Sequence, residues 1–201
     1  MSDSQKTVLY EKHLEQGAQV VEFGGWLMPI QYSQGVIHEH LACRKKAGLF
    51  DVSHMGRFVF GGESSLDFLQ KVLTNNAAAL DVGESQYTII PDENGHAVDD
   101  AYLYRFEEES YLLVVNASNA RKDWHHFQEL GGFFENLKIE DRTEELAMLS
   151  LQGPASKKML EEVIESGPLP PPLRNHLSEV VIGGCRVRLA RTGYTGDPLG
   201  F

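Results

Sequence analysis

The sequence predicts an α+β fold, with antiparallel sheet flanked by helices. Strand-like segments succeed one another without an intervening helix between residues 85 and 118. A helical stretch precedes them at 63–73 and another follows at 119–130. That order suits an antiparallel sheet with helices packed on one face. Asn94-Gly95 lies between two β-rich runs, which is the short-range signature of a hairpin.

In chain order, Val36, Ile37, His40 and Leu41 recur at near-helical spacing, and the helix is expected to stop at Gly48. Residues 55–62 ("MGRFVFGG") alternate as a strand that ends at Gly61-Gly62. In "ESSLDFLQKVL" (63–73), Leu66, Leu69, Val72 and Leu73 form an apolar stripe, with Ser64 or Ser65 as the cap. "SQYTIIPDENGHAVDDAYLYRF" is the hairpin, and "ESYLLVVNAS" (109–118) a third strand. Ser118 or Asn119 caps the helix of "NARKDWHHFQEL". "LAMLSLQGPASKKMLEEVI" reads as a strand, then a helix opened by Gly153-Pro154. The stretch "GPLPPP" (167–172) is extended linker, and a last hairpin turns at Gly183-Gly184.

The chain has 201 residues, 42% of them apolar, and a net charge of −11. That length is enough to bury a sizeable core. No apolar run approaches the ~20 residues of a membrane span. The N-terminal residues lack the apolar core of a secretory signal. An acidic surface repels phosphate backbones and anionic membranes, which excludes nucleic acid and membrane as expected partners. Cys43 and Cys185 are expected to be buried free thiols in a reducing, cytoplasmic setting.

Most motifs for chemistry are missing. His38 and His40 fall on different sides of a helix, and His125 and His126 are adjacent, so neither pair chelates a metal easily. No metal is expected. The paired glycines do not follow a strand as G-x-G-x-x-G, and no serine sits in a G-x-S-x-G elbow. The unusual feature is Asp99-Asp100, inside a run that otherwise reads as a strand. Asp is depleted from strands. Neighbouring residues of a strand point to opposite faces, so one carboxylate would turn inward. An inward carboxylate is costly unless it is hydrogen-bonded or meets a polar ligand. The alternative is a strand-edge turn with both carboxylates solvated.

Several stretches together resemble the T-protein family of aminomethyltransferases in the glycine cleavage system. They are "VEFGGWLMPIQY" (21–32), "RKKAGLFDVSHMG" (44–56), "LTNN" (73–76), "NGHAVDDAYLYR" (94–105), "LLVVNASNARKDW" (112–124), "LSLQGPAS" (149–156) and "ARTGYTG" (190–196). They occur in the family order and span nearly the whole chain. The resemblance implies two interleaved domains: a discontinuous first domain of residues 1–54 and 140–201, and an inserted second domain of residues 55–139. It also implies a reaction of one-carbon metabolism and glycine catabolism. The methylene carbon of an aminomethyl group on the lipoyl arm of H-protein passes to tetrahydrofolate, a co-substrate, and ammonia leaves.

The same resemblance assigns residues. Asp100 is the expected catalytic carboxylate, facing inward onto folate with Asp99 outward. Met55, Tyr87, Asn116 and Tyr194 fall on folate-lining positions. Two departures stand out. "GYTGDPLGF" carries the Asp197-Pro198-Leu199 loop where the family commonly reads "GYTGEDGFE". The family pattern also continues beyond Phe201 with a Glu, an Arg and a C-terminal barrel domain. The expectation is therefore a truncated chain that holds half a folate site, binds folate weakly and is inactive alone. The alternative functions are a folate-dependent demethylase of the same superfamily or a non-enzymatic folate-binding relative. For the H-protein partner, the basic stretch at Arg44, Lys45 and Lys46 is the candidate contact.

Overall fold

The computed structural model describes residues 4–193, 195 and 200–201. Tyr194 and the Asp197-Pro198-Leu199 loop lie outside the described residues. Chain order runs β1 (Gln5–Lys6), α1 (Tyr10–Glu15), β2 (Gln19–Phe23), β3 (Trp26–Gln31), α2 (Val36–Lys45) and β4 (Gly48–Asp51). Next come β5 (Gly56–Gly61), α3 (Ser65–Val72), a 3₁₀ turn at Ala77–Ala79, β6 (Glu84–Pro91), β7 (Ala97–Glu107), β8 (Ser110–Val115), α4 (Ala120–Gly131) and β9 (Lys138–Asp141). The chain finishes with β10 (Leu149–Gln152), α5 (Ser156–Val163), β11 (Leu177–Ile182) and β12 (Cys185–Ala190).

Two compact units result. One comprises residues 1–54, 147–174 and 178–201; the other comprises residues 55–146 and 175–177. The return to the first unit falls after residue 146, not after 139 as expected. The reason is β9, a strand without strong sequence signal. It pairs with β5 from Phe58↔Asp141 to Gly61↔Lys138 and so ties residues 140–146 to the second unit.

The second unit is a five-stranded antiparallel sheet in the order β6-β7-β8-β5-β9. Strand alternation divides its side chains between two faces. One face contributes Phe58, Phe60, Ile90, Ala101, Leu103, Leu113 and Val115 to a core with Phe68 and Leu69 of α3 and Phe127 of α4. Its aromatic rings meet edge to face: Phe127 lies 5.3 Å from Phe60 and 6.1 Å from Phe58, centre to centre. Such pairs contribute beyond area burial, by roughly 0.5–1.5 kcal/mol each.

The first unit is built from smaller sheets, β1-β3-β2, β10-β4 and β11-β12. The β1–β3 pairing is parallel, because the chain passes through α1 and β2 before returning beside β1. Asp51 at the end of β4 is its polar anchor. Its carboxylate accepts from Thr7 Oγ1 at 2.6 Å and the Ser53 amide at 2.9 Å, and lies 3.0 Å from His13 Nε2. His13 Nδ1 in turn meets the Tyr32 hydroxyl at 2.8 Å. Burial pushes the Asp51 carboxyl up, but the Thr7, Ser53 and His13 partners outweigh it and hold it below the usual value.

Three local expectations change. Gly48 begins β4, and α2 has already ended at Lys45. Ser64 and Asn119 occupy the N-cap positions of α3 and α4 but make no side-chain cap bond. Ser64 Oγ donates to Glu135 O at 2.6 Å instead. Cys43 is buried, but Cys185 is exposed on β12.

Gly56 opens β5 beside Val115 of β8 and Ala120, the first residue of α4. A Cβ there would lie 2.5 Å from Val115 Cγ2 and 2.9 Å from Ala120 Cβ. Gly56→Ala is expected to lower Tm by about 2–10 °C, the cost of overpacking by one methyl. Thermal unfolding checks this; an unchanged Tm would mean that α4 accommodates the methyl freely.

Candidate active site

The site is built on β7, where the register sets the direction of each side chain. Ile90 pairs with Asp99 and Ile89 with Asp100 across β6–β7, and Ala101 pairs with Val115 across β7–β8. Asp99 therefore shares the core face with Ala101 and Leu103. Asp100 shares the opposite face with Tyr102, Tyr104 and, from β6, Tyr87. The two aspartates do point to opposite faces. Their expected assignment is reversed: Asp99 is buried and Asp100 exposed. Parity forces this, since Asp99 stands two residues from Ala101 and four from Leu103, both in the core.

Asp99 remains a carboxylate in the core because donors surround it. Asn119 Nδ2 donates to its Oδ1 at 2.8 Å, and Asn116 Nδ2 at 3.0 Å. The Asn116 backbone amide donates to Oδ2 at 3.3 Å. Burial pushes the carboxyl up, but the side chains of Asn116, Asn119 and Asp123 prevail and hold it below its ordinary value. Asn119 forgoes the helix cap for this bond, and the negative charge it holds lies beside the N-terminus of α4, where the helix dipole favours an anion.

Asp123, one turn further along α4, is completely buried. Burial first, then the hydrogen bond and charge of Asp99, push its carboxyl up to about 8. Lys122 donates to Val98 O at 2.6 Å, and its charge acts to lower Asp123.

On the open face, Asn116 Nδ2 also donates to Asp100 Oδ1 at 3.0 Å and to Asp100 O at 3.3 Å. Tyr87, about half exposed, sits diagonally across from Asp100. Desolvation raises its hydroxyl, with the charge and hydrogen bond of Asp100 adding to the shift. Tyr87 begins an aromatic row: its ring lies 6.2 Å from Tyr102, which lies 5.5 Å from Tyr104. Tyr102 donates to Asn175 Oδ1 at 2.6 Å. Asn175 reaches this face because residues 175–177 run along the edge of β6, with Ser85 N donating to Asn175 O and Leu177 N to Gly83 O, both at 2.8 Å.

Met55 immediately precedes β5 and is half-buried. Its carbonyl accepts from the buried guanidinium of Arg57, which also donates to Thr143 O. Of the residues expected from sequence, Asp100, Tyr87 and Asn116 thus converge on one face of one sheet. Asn119, Asp123 and Asn175 were not expected. A signal for Asp123 exists: with Ala120 and Phe127 it occupies the apolar side of α4, where an acid needs a reason. Among the described residues, no three His, Cys, Asp or Glu side chains gather as a metal site, and no helix is long and apolar enough to cross a membrane.

The fold recurs in known proteins. The family model described as the GCVT N-terminal domain matches residues 9–201. The chain belongs to this family. It is 47% identical over 192 residues to an aminomethyltransferase of Thermus thermophilus, a match covering 96% of this chain and 54% of the relative. It is 45% identical over 192 residues to an aminomethyltransferase of Chlorobium limicola, covering 96% of this chain and 53% of the relative. It thus spans about half the length of the curated relatives it matches. The crystal structure of the glycine cleavage system aminomethyltransferase T from Bartonella henselae superposes with a TM-score of 0.79 at 30% identity, covering 97% of this chain and 52% of that one. A heterotetrameric sarcosine oxidase from Corynebacterium shares the fold, with a TM-score of 0.55 at 21% identity over 78% of this chain and 77% of that chain.

The acid pair makes stability depend on pH. Asp123 has a folded value of about 8, well above the unfolded reference of 3.8. Its contribution is present below that reference and is lost progressively as pH rises through about 8. Asp123→Asn cannot ionise and escapes this loss. The Tm of Asp123→Asn relative to the natural protein is therefore expected to climb between pH 4 and pH 8 and then level off. A Tm difference independent of pH would show that Asp123 ionises as an ordinary acid.

Proposed function

We propose that this chain carries the acidic site of a tetrahydrofolate-dependent aminomethyltransferase, and that Asp100 is its catalytic carboxylate. In the reaction, the carbon–sulfur bond of an aminomethyl-lipoyl group on H-protein breaks. The methylene carbon passes to tetrahydrofolate, ammonia leaves, and the lipoyl arm departs as dithiol. The carbon is cationic and iminium-like in transit. Asp100 would stabilise that charge and take up the proton from the attacking folate amine. Such a group contributes roughly 10²–10⁴-fold in rate.

The observation that carries this reading is an exposed carboxylate beside a tyrosine ring and an amide on one face. Tyr87 offers a flat apolar surface to a pterin or aryl ring. Asn116 holds Asp100 from the side at 3.0 Å. Met55 and Tyr194 are proposed to complete the folate contacts. The activity belongs to proteins about twice this length, so turnover is a property of the complete gene product in its expected cytoplasmic setting.

Asp100→Asn in the complete gene product is expected to lower kcat by about 10²-fold or more, with Tm nearly unchanged, because the side chain is solvent-facing. Asp99→Asn is expected to act first on Tm, since it disturbs the buried donors. Equal losses of kcat in the two variants, with equal Tm, would remove Asp100 from its role.

H-protein is the proposed donor partner. Arg44, Lys45 and Lys46 are exposed around the end of α2, and like charges across an interface oppose association. Lys45→Glu together with Lys46→Glu is expected to raise KM for H-protein, increasingly so at low salt, while KM for folate holds. An unchanged KM for H-protein at low ionic strength would leave them as ordinary helix-end charges.

A further inference from the structure

We propose that Asp99 and Asp123 form a one-proton pair that positions the Asn116 amide and, through it, Asp100. Asp123 is here a positioning residue, acting at a distance from any substrate. The proposal's consequence for turnover rests on Asp100 being the reacting carboxylate; the placement of the proton does not.

The geometry runs from inside outward. Both carboxyl oxygens of Asp123 are buried, and neither receives a donor from another group among the described residues. A buried carboxylate without donors costs several kcal/mol, so this group is stable there only as the neutral acid. As an acid it donates to Asp99, the partner identified as its hydrogen-bond neighbour. Asp99 then carries the charge, which Asn119 Nδ2 and both nitrogens of Asn116 satisfy.

That charge decides which way the Asn116 amide lies. Its two side-chain neighbours, Asp99 Oδ1 and Asp100 Oδ1, both lie at 3.0 Å and both accept. Only the NH₂ end can face them. One side chain therefore bridges the buried acid and the exposed one, and fixes Asp100 against β8. Facing the pair, strand β7 supplies Asp100, and α4 supplies Lys122. The loop before α4 supplies Asn116 and Asn119, and β6 presents Ile90 opposite Asp99.

Loss of the Asp123 proton to solvent would put two charges in the core. Asp99 would lose a donor, and the amide of Asn116 would be drawn inward, away from Asp100. An alkaline limb in turnover with a midpoint near 8 follows.

The test uses the complete gene product. In ¹³C-carboxyl spectra, one aspartate is expected to titrate near pH 8 and to vanish in Asp123→Asn. The side-chain NH₂ signals of Asn116 are expected to shift with the same midpoint, and to lose that midpoint in Asp123→Asn. Asp123→Ala removes the donor, and its kcat at pH 7 is expected to fall by about 10²-fold, the scale of a misplaced reacting group. Asp123→Asn, which keeps a donor toward Asp99, should recover at least tenfold of that loss and flatten the alkaline limb. The proposal is overturned if no aspartate titrates between pH 7 and pH 9, or if the Asn116 signals keep their midpoint in Asp123→Asn. If Asp100→Asn leaves turnover intact while Asn116 follows the Asp123 proton, the pair stands and the catalytic reading of Asp100 falls.

Discussion

The site depends on the two-residue period of β7, pinned on one side by β6 and on the other by β8. Pairing from Glu84↔Arg105 to Ile90↔Asp99, and from Ala101↔Val115 to Arg105↔Tyr111, leaves no freedom of register. A slip by one residue would carry Asp100 into the aromatic core and lift Asp99 out of its donors. The core pairs Phe60–Phe68 and Phe58 with the half-buried Trp124, with ring centres 5.6 and 5.1 Å apart, resist that slip from the core side. Hydrophobic packing on one face thus sets the position of a charge on the other.

Two acids in one core would ordinarily be a liability. Here their environments differ enough to give each a separate state. Asp99 accepts from three amide donors, and Asp123 from none among the described residues. The first holds the charge and the second the proton, as expected when like charges share a site too small for both. Asn116 transmits that division to the surface with one side chain, because both of its neighbours accept.

The open face is prepared by chain segments distant in sequence. Residues 175–177 extend the β6 edge, and Asn175, in the left-handed region at φ 71°, accepts from the Tyr102 hydroxyl. Tyr102 thereby supports the aromatic row that begins at Tyr87. On the far side, Arg57 spans the carbonyls of Met55 and Thr143, tying the start of β5 to the segment after β9. Arg57 thereby gives two backbone carbonyls a donor.

The α+β class, the hairpin around Asn94-Gly95, the helices α3, α4 and α5, and the split of Asp99 from Asp100 are legible in the chain alone. These follow from periodicity, turn chemistry and strand alternation, which are local. The motifs also marked Asp100, Tyr87 and Asn116 as residues to watch. The short strands β1 and β9 had no such signal, because strands of two and four residues offer too few alternations to read. Which aspartate faces the core was a tertiary decision: alternation specifies opposite faces, and only the packing of α3 and α4 says which face is covered. The same packing turned Asn119 from helix cap to carboxylate donor and buried Asp123. A polar side chain takes the partner that folding brings to it, and that partner is not written in its neighbours along the chain.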